Sequence, residues 1–359
     1  MVKVSSKFEP VELKRLETMM ADLKSKIGES NEAHASFTTQ NAVVIGSAPI
    51  DGTLENEVVT SLMKLNPARF FLLEIKPNLE AVRLSARCEL VSAENKVCSE
   101  VIRIEAAEDH MMEVASILRS HLLTGVSTDL FISDASVVSE KVGQHILALC
   151  ERVIFDGRCS GGLSKAAWLG RFCQTRIDLE WLRLAPWREA IRLLFEIPGV
   201  SNRLSDIQSV TITGGNIAGE SLGALYMAGW ILGCLKLEVR ARGAGFFECK
   251  GMDGGSLEMR FSAGESASEL AAEEISSLKL EFASNSGPGF RVDIKRKDDI
   301  LETLSSGVFD IRSSQPYKDL NTIELLQRFF LVGTSVYKYD VALRQAIDME
   351  NLKQGYRVR

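Results

Sequence analysis

The sequence predicts an α/β fold, with an N-terminal Rossmann-like mixed sheet flanked by helices and a second α+β domain that contains a β meander. Short apolar runs alternate with helical patterns through the first half of the chain. Short strand-like runs separated by glycine-rich turns fill much of the second half. The chain has 359 residues, and domains usually hold roughly 100–200 residues. We therefore predict two domains, at residues 1–175 and 176–359.

The first domain begins with an amphipathic helical pattern over residues 10–27, followed by an apolar strand at 42–46. A helix then runs from about 54 to 65, with Thr53 as its candidate N-cap. Asn66-Pro67 ends this helix, because proline disfavours helical geometry in the residue before it. The next strand, at 69–75, completes a strand–helix–strand unit, which is typical of a parallel sheet.

An antiparallel ribbon is predicted next, because residues 82–90 alternate strictly between apolar and polar side chains. Residues 97–104 pair with this strand as a hairpin. Helix–strand alternation then resumes, with three helices and two short strands in the order 109–123, 130–132, 136–150, 153–155 and 163–173.

The second domain opens with a helical stretch over 178–196, in which Pro186 suits a first helical turn. A strand, a very apolar helix and five strands of a meander follow at 210–213, 218–235, 237–242, 246–249, 257–261, 278–282 and 290–294. We also predict a short helix near 267–274 and a last helix at 322–331. The residues beyond it are polar, and we expect them to be mobile.

The overall composition excludes several classes of protein. The net charge is −6, and no long Lys/Arg run suggests a nucleic-acid partner. The longest uncharged apolar stretch, Leu222–Leu235, is shorter than the ~20 residues of a membrane span. No apolar signal segment follows the first residues, so we expect a cytoplasmic protein. Seven cysteines without a CxxC motif favour reduced thiols, and the four histidines lack metal-ligand spacing.

Two glycine-rich turns are candidates for binding a nucleotide. The first, Gly46 to Pro49, lacks the G-x-G-x-x-G pattern, and its proline removes a backbone donor. The second contains Gly214, Gly215 and Gly219 between a strand and a helix, but Asn216 replaces the middle glycine. A tight strand-to-helix turn explains these glycines without a ligand. We predict no cofactor and no metal, and a sugar-phosphate- or nucleotide-binding enzyme stays open as the alternative.

Residues 178–189 are the most unusual segment of the sequence. Two of the four tryptophans and two arginines fall within eight residues, from Trp181 to Arg188. Tryptophan and arginine often anchor protein interfaces. The alternative is that the tryptophans pack between the two domains, where their large buried surface is stabilising, and that the arginines pair with Asp178 or Glu189.

This segment resembles the hallmark of the OpcA-type glucose-6-phosphate dehydrogenase assembly proteins. The matching residues are Asp178, Leu179, Trp181, Arg183, Leu184, Pro186, Trp187, Arg188 and Glu189. Three weaker matches are Asn66-Pro67 with Arg69, then Cys98 with Glu100 and Ile102, and the strand Arg152, Val153, Ile154 with Asp156. Residues 130–134 depart from the family, because many relatives carry Trp-Trp-Pro-Gly there. Ala185 also replaces a hydroxyl residue.

The resemblance implies a non-catalytic effector that binds and activates glucose-6-phosphate dehydrogenase, in the oxidative pentose phosphate pathway. It would be an allosteric activator or assembly factor and not itself an enzyme. The partner-binding residues it implies are Asp178, Trp181, Arg183, Pro186, Trp187, Arg188 and Glu189. The resemblance also makes Cys98 a candidate for redox control, although the simpler explanation is a small buried hydrophobe in a strand.

Overall fold

The computed structural model describes residues 8–31, 40–46, 54–63, 65, 68–92, 97–133, 135–158, 161–173, 175–214, 221–243, 245–252, 254–263, 274–284, 287–332 and 336–355. The described chain divides into two compact units. The first takes in Met1–Gly161, Lys165–Leu179 and Asn321–Gly333, and the second takes in Gly162–Ser164, Glu180–Leu320 and Thr334–Arg359.

The strands of the two units are numbered in chain order. Those of the first unit are β1 (Glu9–Pro10), β2 (Gln40–Gly46), β3 (Ala68–Ile75), β4 (Arg83–Ser92), β5 (Val97–Ala106), β6 (Thr128–Ile132), β7 (Arg152–Phe155) and β8 (Thr175–Asp178). Those of the second are β9 (Ile207–Gly214), β10 (Leu237–Arg242), β11 (Phe246–Gly251), β12 (Ser256–Ala263), β13 (Ile275–Phe282), β14 (Phe290–Lys297), β15 (Ile300–Ser306) and β16 (Arg312–Pro316).

The described helices are numbered in the same way, and short 3₁₀ turns are left without labels. They are α1 (Leu16–Asn31), α2 (Leu54–Met63), α3 (Met111–His121), α4 (Glu140–His145), α5 (Gly162–Leu169), α6 (Leu179–Arg183), α7 (Ala185–Leu194), α8 (Leu222–Leu235), α9 (Thr322–Val332) and α10 (Val336–Lys353).

The sheet of the first unit has the order β1-β4-β5-β3-β2-β6-β7-β8. Its six parallel strands, counted along the chain, lie in the order 3-2-1-4-5-6, which is that of the Rossmann fold. Strand β2 is buried along its whole length, as expected for a strand covered on both faces. Strand β4 runs antiparallel to β5, so the predicted ribbon and the Rossmann-like mixed sheet are confirmed.

The second unit contains a mixed sheet in the order β10-β11-β12-β9-β13-β14-β15-β16. Strand β9 pairs parallel with β12 and antiparallel with β13, and antiparallel pairs then follow between β13 and β14, β14 and β15, and β15 and β16. The predicted α+β domain with a meander is therefore confirmed. Helices α8 and α10 pack against each other, and α10 also packs on β10.

The end of the chain differs from our expectation of a mobile polar tail, because α10 occupies residues 336–353. Tyr339, Ala342, Leu343, Ala346 and Met349 recur at spacings of three and four and are buried. This stripe is narrow and contains small side chains, so the polar residues around it hide the amphipathic pattern. Thr53, the second glycine-rich turn after Gly214, and all but the last residue of the helix predicted near 267–274 lie outside the described residues.

Candidate functional site

The segment 178–189 runs from the end of β8 through α6 and the first half of α7. Asp178 is fully buried, and its carboxylate accepts a hydrogen bond from the Gly157 backbone N–H at 2.8 Å. Helix α7 begins at Ala185-Pro186, where proline fits because the first helical N–H groups have no partner within the helix. Asp178 therefore fixes the end of the first sheet, and the segment from Glu180 onward belongs to the second unit.

Trp181 is a core residue of the second unit and is only 2% exposed. The Arg188 guanidinium lies over its ring, 3.7 Å from the centroid, and donates to the Trp181 backbone oxygen at 2.7 Å. The Tyr339 ring of α10 approaches with a centroid separation of 5.9 Å. Arg188 therefore joins the last turn of α6 to α7 by a cation–π contact and a hydrogen bond. The indole Nε1 has no acceptor among the described residues.

Trp187 is also buried, at 1% exposure, and packs edge-on against Tyr317 with ring centroids 6.4 Å apart. Burial raises the pKa of the Tyr317 hydroxyl, against the smaller opposing effects of Arg296 and of a side-chain hydrogen bond with Trp187. Arg296 stacks on the Tyr317 ring at 4.6 Å and pairs with the buried carboxylate of Glu274. These contacts link α7 to β14 and to the residue that precedes β13.

Glu180 is a functional candidate that the sequence reasoning missed, because it occupies a variable position of the hallmark. Its carboxylate is 1% exposed and pairs with Arg183 at 3.4 Å. It also lies against Gly223 at the start of α8, where a Cβ would clash with its Oε1. The N-terminal end of a helix attracts negative charge. A buried carboxylate beside the start of α8 would repel a phosphate at that helix end, which weakens the second nucleotide-binding candidate.

The segment therefore presents few side chains on the surface. Glu189 is exposed, and Arg183, Pro186 and Arg188 are half-buried. Glu189 pairs with Arg192 at 2.7 Å, and the hydrogen bond from that guanidinium lowers the pKa of the Glu189 carboxyl. Trp181 and Trp187, predicted as partner contacts, are enclosed by their own unit because α7 turns its apolar face inward. The interface role of the segment remains a prediction.

The weaker motif matches form buried ion pairs in the first unit. Arg69 of β3 pairs with Glu100 of the adjacent strand β5, and both side chains are buried. The same guanidinium contacts Glu17 of α1 at 3.1 Å and donates to the His121 backbone oxygen at 2.7 Å. Arg152 of β7 pairs with the buried Asp129 at 2.6 Å. These residues hold neighbouring strands and helices together, which is a structural role.

The cysteines differ from the predicted set of reduced thiols. Cys88 forms a disulfide, whose partner lies outside the described side chains. The linear spacing of the cysteines gave no indication of this disulfide. Burial raises the pKa of the Cys150 thiol and brings that of Cys173 to about 11, so both are protonated and unreactive at neutral pH. Cys98 lies in β5 with its side chain undescribed, so its redox role remains a prediction.

Two further observations concern metals and membranes. Among the described stretches of chain, no group of three His, Cys, Asp or Glu residues is placed to hold a metal ion. No helix of the described residues is both long enough and apolar enough to cross a membrane.

Comparisons with known proteins give one family match and a set of distant structural similarities. Residues 174–325 match the family model that describes the C-terminal domain of the glucose-6-phosphate dehydrogenase subunit, which supports the OpcA-type resemblance. No curated protein matches the sequence significantly. A 3-ketoreductase from Actinomadura kijaniata is 13% identical, with 89% of this chain and 98% of that chain covered and a TM-score of 0.47. A super-repressor mutant of Gal80p from Saccharomyces cerevisiae is 12% identical, with 90% and 98% covered and a TM-score of 0.48.

Proposed function

We propose that this chain, which carries the C-terminal domain of the OpcA-type family at residues 174–325, is a non-catalytic protein that binds glucose-6-phosphate dehydrogenase and raises its activity. The family match is the observation that carries the proposal, because its description links this domain to that enzyme. The hallmark segment lies within the matched range, so the sequence resemblance and the domain match concern the same part of the chain.

In this proposal the hallmark positions the surface and makes few of the contacts itself. The buried rings of Trp181 and Trp187 hold α6 and α7 in place, and Arg188 locks the two helices together. The side chains left for a partner are Glu189 and its neighbours on the outer face of α7, Arg192 and Leu193. A surface of this kind depends on the fixed orientation of its helix, which the tryptophans provide.

Activation requires that the protein bind the active state of the enzyme more tightly than its inactive state. A tenfold shift between two states needs only about 1.4 kcal/mol of differential affinity. One well-packed interface side chain can supply a difference of this size. The proposal therefore needs no large contact area that is specific to one state of the enzyme.

The test is a kinetic assay of glucose-6-phosphate dehydrogenase from the same organism, with and without this protein, over a range of substrate concentrations. We expect a rise in kcat or a fall in KM at protein concentrations where the two co-elute from a sizing column. Co-elution with unchanged kinetics would rule out activation and leave a scaffold. Neither co-elution nor a kinetic effect would contradict the whole proposal.

A second candidate function is that of a sugar-phosphate- or nucleotide-binding enzyme, which the strand order 3-2-1-4-5-6 of the first unit favours. In such sheets, ligands bind at the carboxyl ends of the strands where the strand order reverses, here between β2 and β6. Calorimetric titration of the isolated protein with NADP, followed by a search for turnover, tests this candidate. Tight binding with turnover would support it, and the absence of binding would contradict it.

A further inference from the structure

Strand β16 forms one edge of the second sheet. All of its residues except Gln315 are exposed, and no bulge interrupts the pairing between the described residues of β15 and β16. Edge strands are commonly protected by bulges, charged side chains or proline, because their unpaired backbone groups can pair with another chain. Strand β16 has one charged residue at its start and one proline at its end, and its middle residues are small or uncharged. Its centre is therefore open to a further strand.

The register of β16 determines which of its backbone groups face outward. Just after the strand, the Tyr317 N–H donates to the Asp299 carbonyl oxygen at 2.7 Å. Hydrogen bonds to a neighbouring antiparallel strand alternate along the chain, so the odd-numbered residues of β16 bond to β15. The backbone groups of Arg312, Ser314 and Pro316 then point away from β15. Proline has no N–H, so the edge offers donors at Arg312 and Ser314 and carbonyl acceptors at all three residues.

No other segment in the described part of the chain forms a backbone hydrogen bond with these outward groups. They lie on an exposed strand, where water can satisfy them in the free protein. An extended peptide is the chemical complement of such an edge, because its own N–H and C=O groups alternate at the same spacing.

The hallmark segment holds this strand in place. Gln315 Nε2 donates to the Pro186 carbonyl oxygen at 2.7 Å. The Tyr317 ring, directly after the strand, packs edge-on against the buried Trp187. Strand β16 and the start of α7 both lie within the matched range, residues 174–325. A hallmark that is largely buried can therefore act on a partner by orienting the free edge of β16.

We propose that glucose-6-phosphate dehydrogenase adds an extended segment to the free edge of β16. This inference rests on the proposed function and names the contact through which the enzyme is bound. Backbone hydrogen bonds with Arg312, Ser314 and Pro316 supply the affinity, and alternate side chains of the added strand supply the specificity. Residues of that segment that face the edge must carry an N–H, so none of them is proline.

A second copy of β16 fits the edge less well than a segment of different sequence. An antiparallel overlap of the whole strand would place Pro316 of one copy opposite Arg312 of the other. Because proline has no N–H, the Arg312 carbonyl oxygen would have no donor in either copy. The new interface would remove that oxygen from water without replacing its hydrogen bond, which is unfavourable.

The test compares two substitutions at Ser314 in the full-length protein. Ser314→Pro removes an outward N–H without breaking a bond to β15, and the extended residue before it suits proline. Ser314→Ala removes only the hydroxyl and is the matched control. After thermal melting confirms that both variants fold, each is titrated into the dehydrogenase by calorimetry. We expect Ser314→Pro to weaken binding about tenfold or more, as for a lost hydrogen bond, and Ser314→Ala to bind like the wild type.

Hydrogen–deuterium exchange of the wild-type protein gives a second measurement that depends on no variant. The amides of Arg312 and Ser314 should exchange rapidly in the free protein and at least about tenfold more slowly in the complex, because the added strand takes up both N–H groups.

The possible failures of the inference and of the proposed function can be distinguished. A wild-type protein that does not bind the enzyme would contradict both. Wild-type binding with an unchanged affinity of Ser314→Pro, or with unchanged exchange in β16, would overturn the inference and leave the proposed function. Exchange in β16 that slows with the concentration of this protein alone would identify a second copy at the edge and would also overturn the inference.

Discussion

At the scale of single residues, most of the distinctive side chains of this sequence are used to build the fold. Arg69 and Glu100 are far apart in sequence but face each other across neighbouring parallel strands. Each alone would be a buried charge of high cost, and together they satisfy one another. Trp181 and Trp187 are also buried, and they pack in the core of the second unit. A distinctive residue is therefore no proof of a surface contact.

The first prediction separates the structural and the contact roles of the hallmark. Trp187→Ala should destabilise the second unit by about 3–5 kcal/mol, because it empties a large core site. Glu189→Lys should leave stability nearly unchanged, because Glu189 is exposed and its ion pair with Arg192 is on the surface. Thermal unfolding followed by circular dichroism gives both values.

The same two variants then test the contact surface in the dehydrogenase assay. If α7 touches the enzyme, Glu189→Lys should reduce activation without any loss of fold. Glu258→Lys, which changes a half-exposed side chain of β12 outside the hallmark, is the control and should activate normally. Full activation by Glu189→Lys would remove the outer face of α7 from the interface.

The second prediction concerns the pH dependence of the ion pairs around Arg69. Burial alone would raise the pKa of the Glu17 carboxyl, but the hydrogen bond with His121 and the charge of Arg69 together bring that pKa below its usual value of 4.5. A carboxyl with a lowered pKa stabilises the folded state above its unfolded-state pKa, and this stability is lost as the pH falls through the folded-state pKa.

Glu17→Gln should therefore lower the melting temperature at neutral pH, and its difference from the wild type should shrink as the pH falls below about 4.5. The effect should be modest, because the Glu17 side chain is 56% exposed. Melting curves across this pH range measure it, with Glu12→Gln, an exposed glutamate preceding α1, as the control. A difference that stays constant with pH would contradict the assignment.

At the scale of elements, local sequence patterns predicted the strands and helices whose signals come from neighbouring residues. They missed the features that depend on contacts between residues distant in sequence. The apolar run of β2 and the alternation of β4 carry their own signals, because burial on two faces or on one determines the pattern. The stripe of α10 is buried against α8, which lies about a hundred residues earlier. The contact between the Glu180 carboxylate and α8 could not be predicted from the sequence either, because no local pattern indicates that contact.

The third prediction concerns the close packing of α8 on α10. A Cβ on Gly229 would clash with the backbone oxygen of Ala342, which cannot move unless the helices separate. A Cβ on Gly233 would clash with a γ-methyl of Val341, which can shift. Alanine also gains about 1 kcal/mol of helix propensity over glycine. Gly229→Ala should therefore destabilise by about 1–3 kcal/mol, and Gly233→Ala should be close to neutral.

Chemical denaturation of the two variants provides the comparison, since they make the same substitution one helical turn apart. Equal effects would mean that the helices are not held at the separation seen here. A stabilised Gly229→Ala protein would contradict the close approach directly.

At the scale of the whole molecule, the chain is not divided into units in simple sequence order. The chain leaves the first unit near Leu179 and returns to it with α9. The following helix, α10, belongs to the second unit. Helix α9 packs on α2 and contributes buried Leu325, Leu326 and Phe329. A boundary at residue 175, drawn along the sequence, assigns α9 to the second domain. Local patterns give no information on this return.

The last prediction follows from this arrangement: a chain ending at Leu320 should lose the cooperative folding of both units. It lacks six large buried side chains, namely Leu325, Leu326, Phe329, Tyr339, Leu343 and Met349. Each contributes ~1.5–3 kcal/mol when buried, and their sum is comparable to the net stability of ~5–15 kcal/mol of a typical protein. Near-ultraviolet circular dichroism and thermal melting provide the measurement. A chain ending at Gly355 is the control and should melt like the full protein. A sharp melting transition in the shorter chain would show that the two units fold without α9 and α10, which would contradict the prediction.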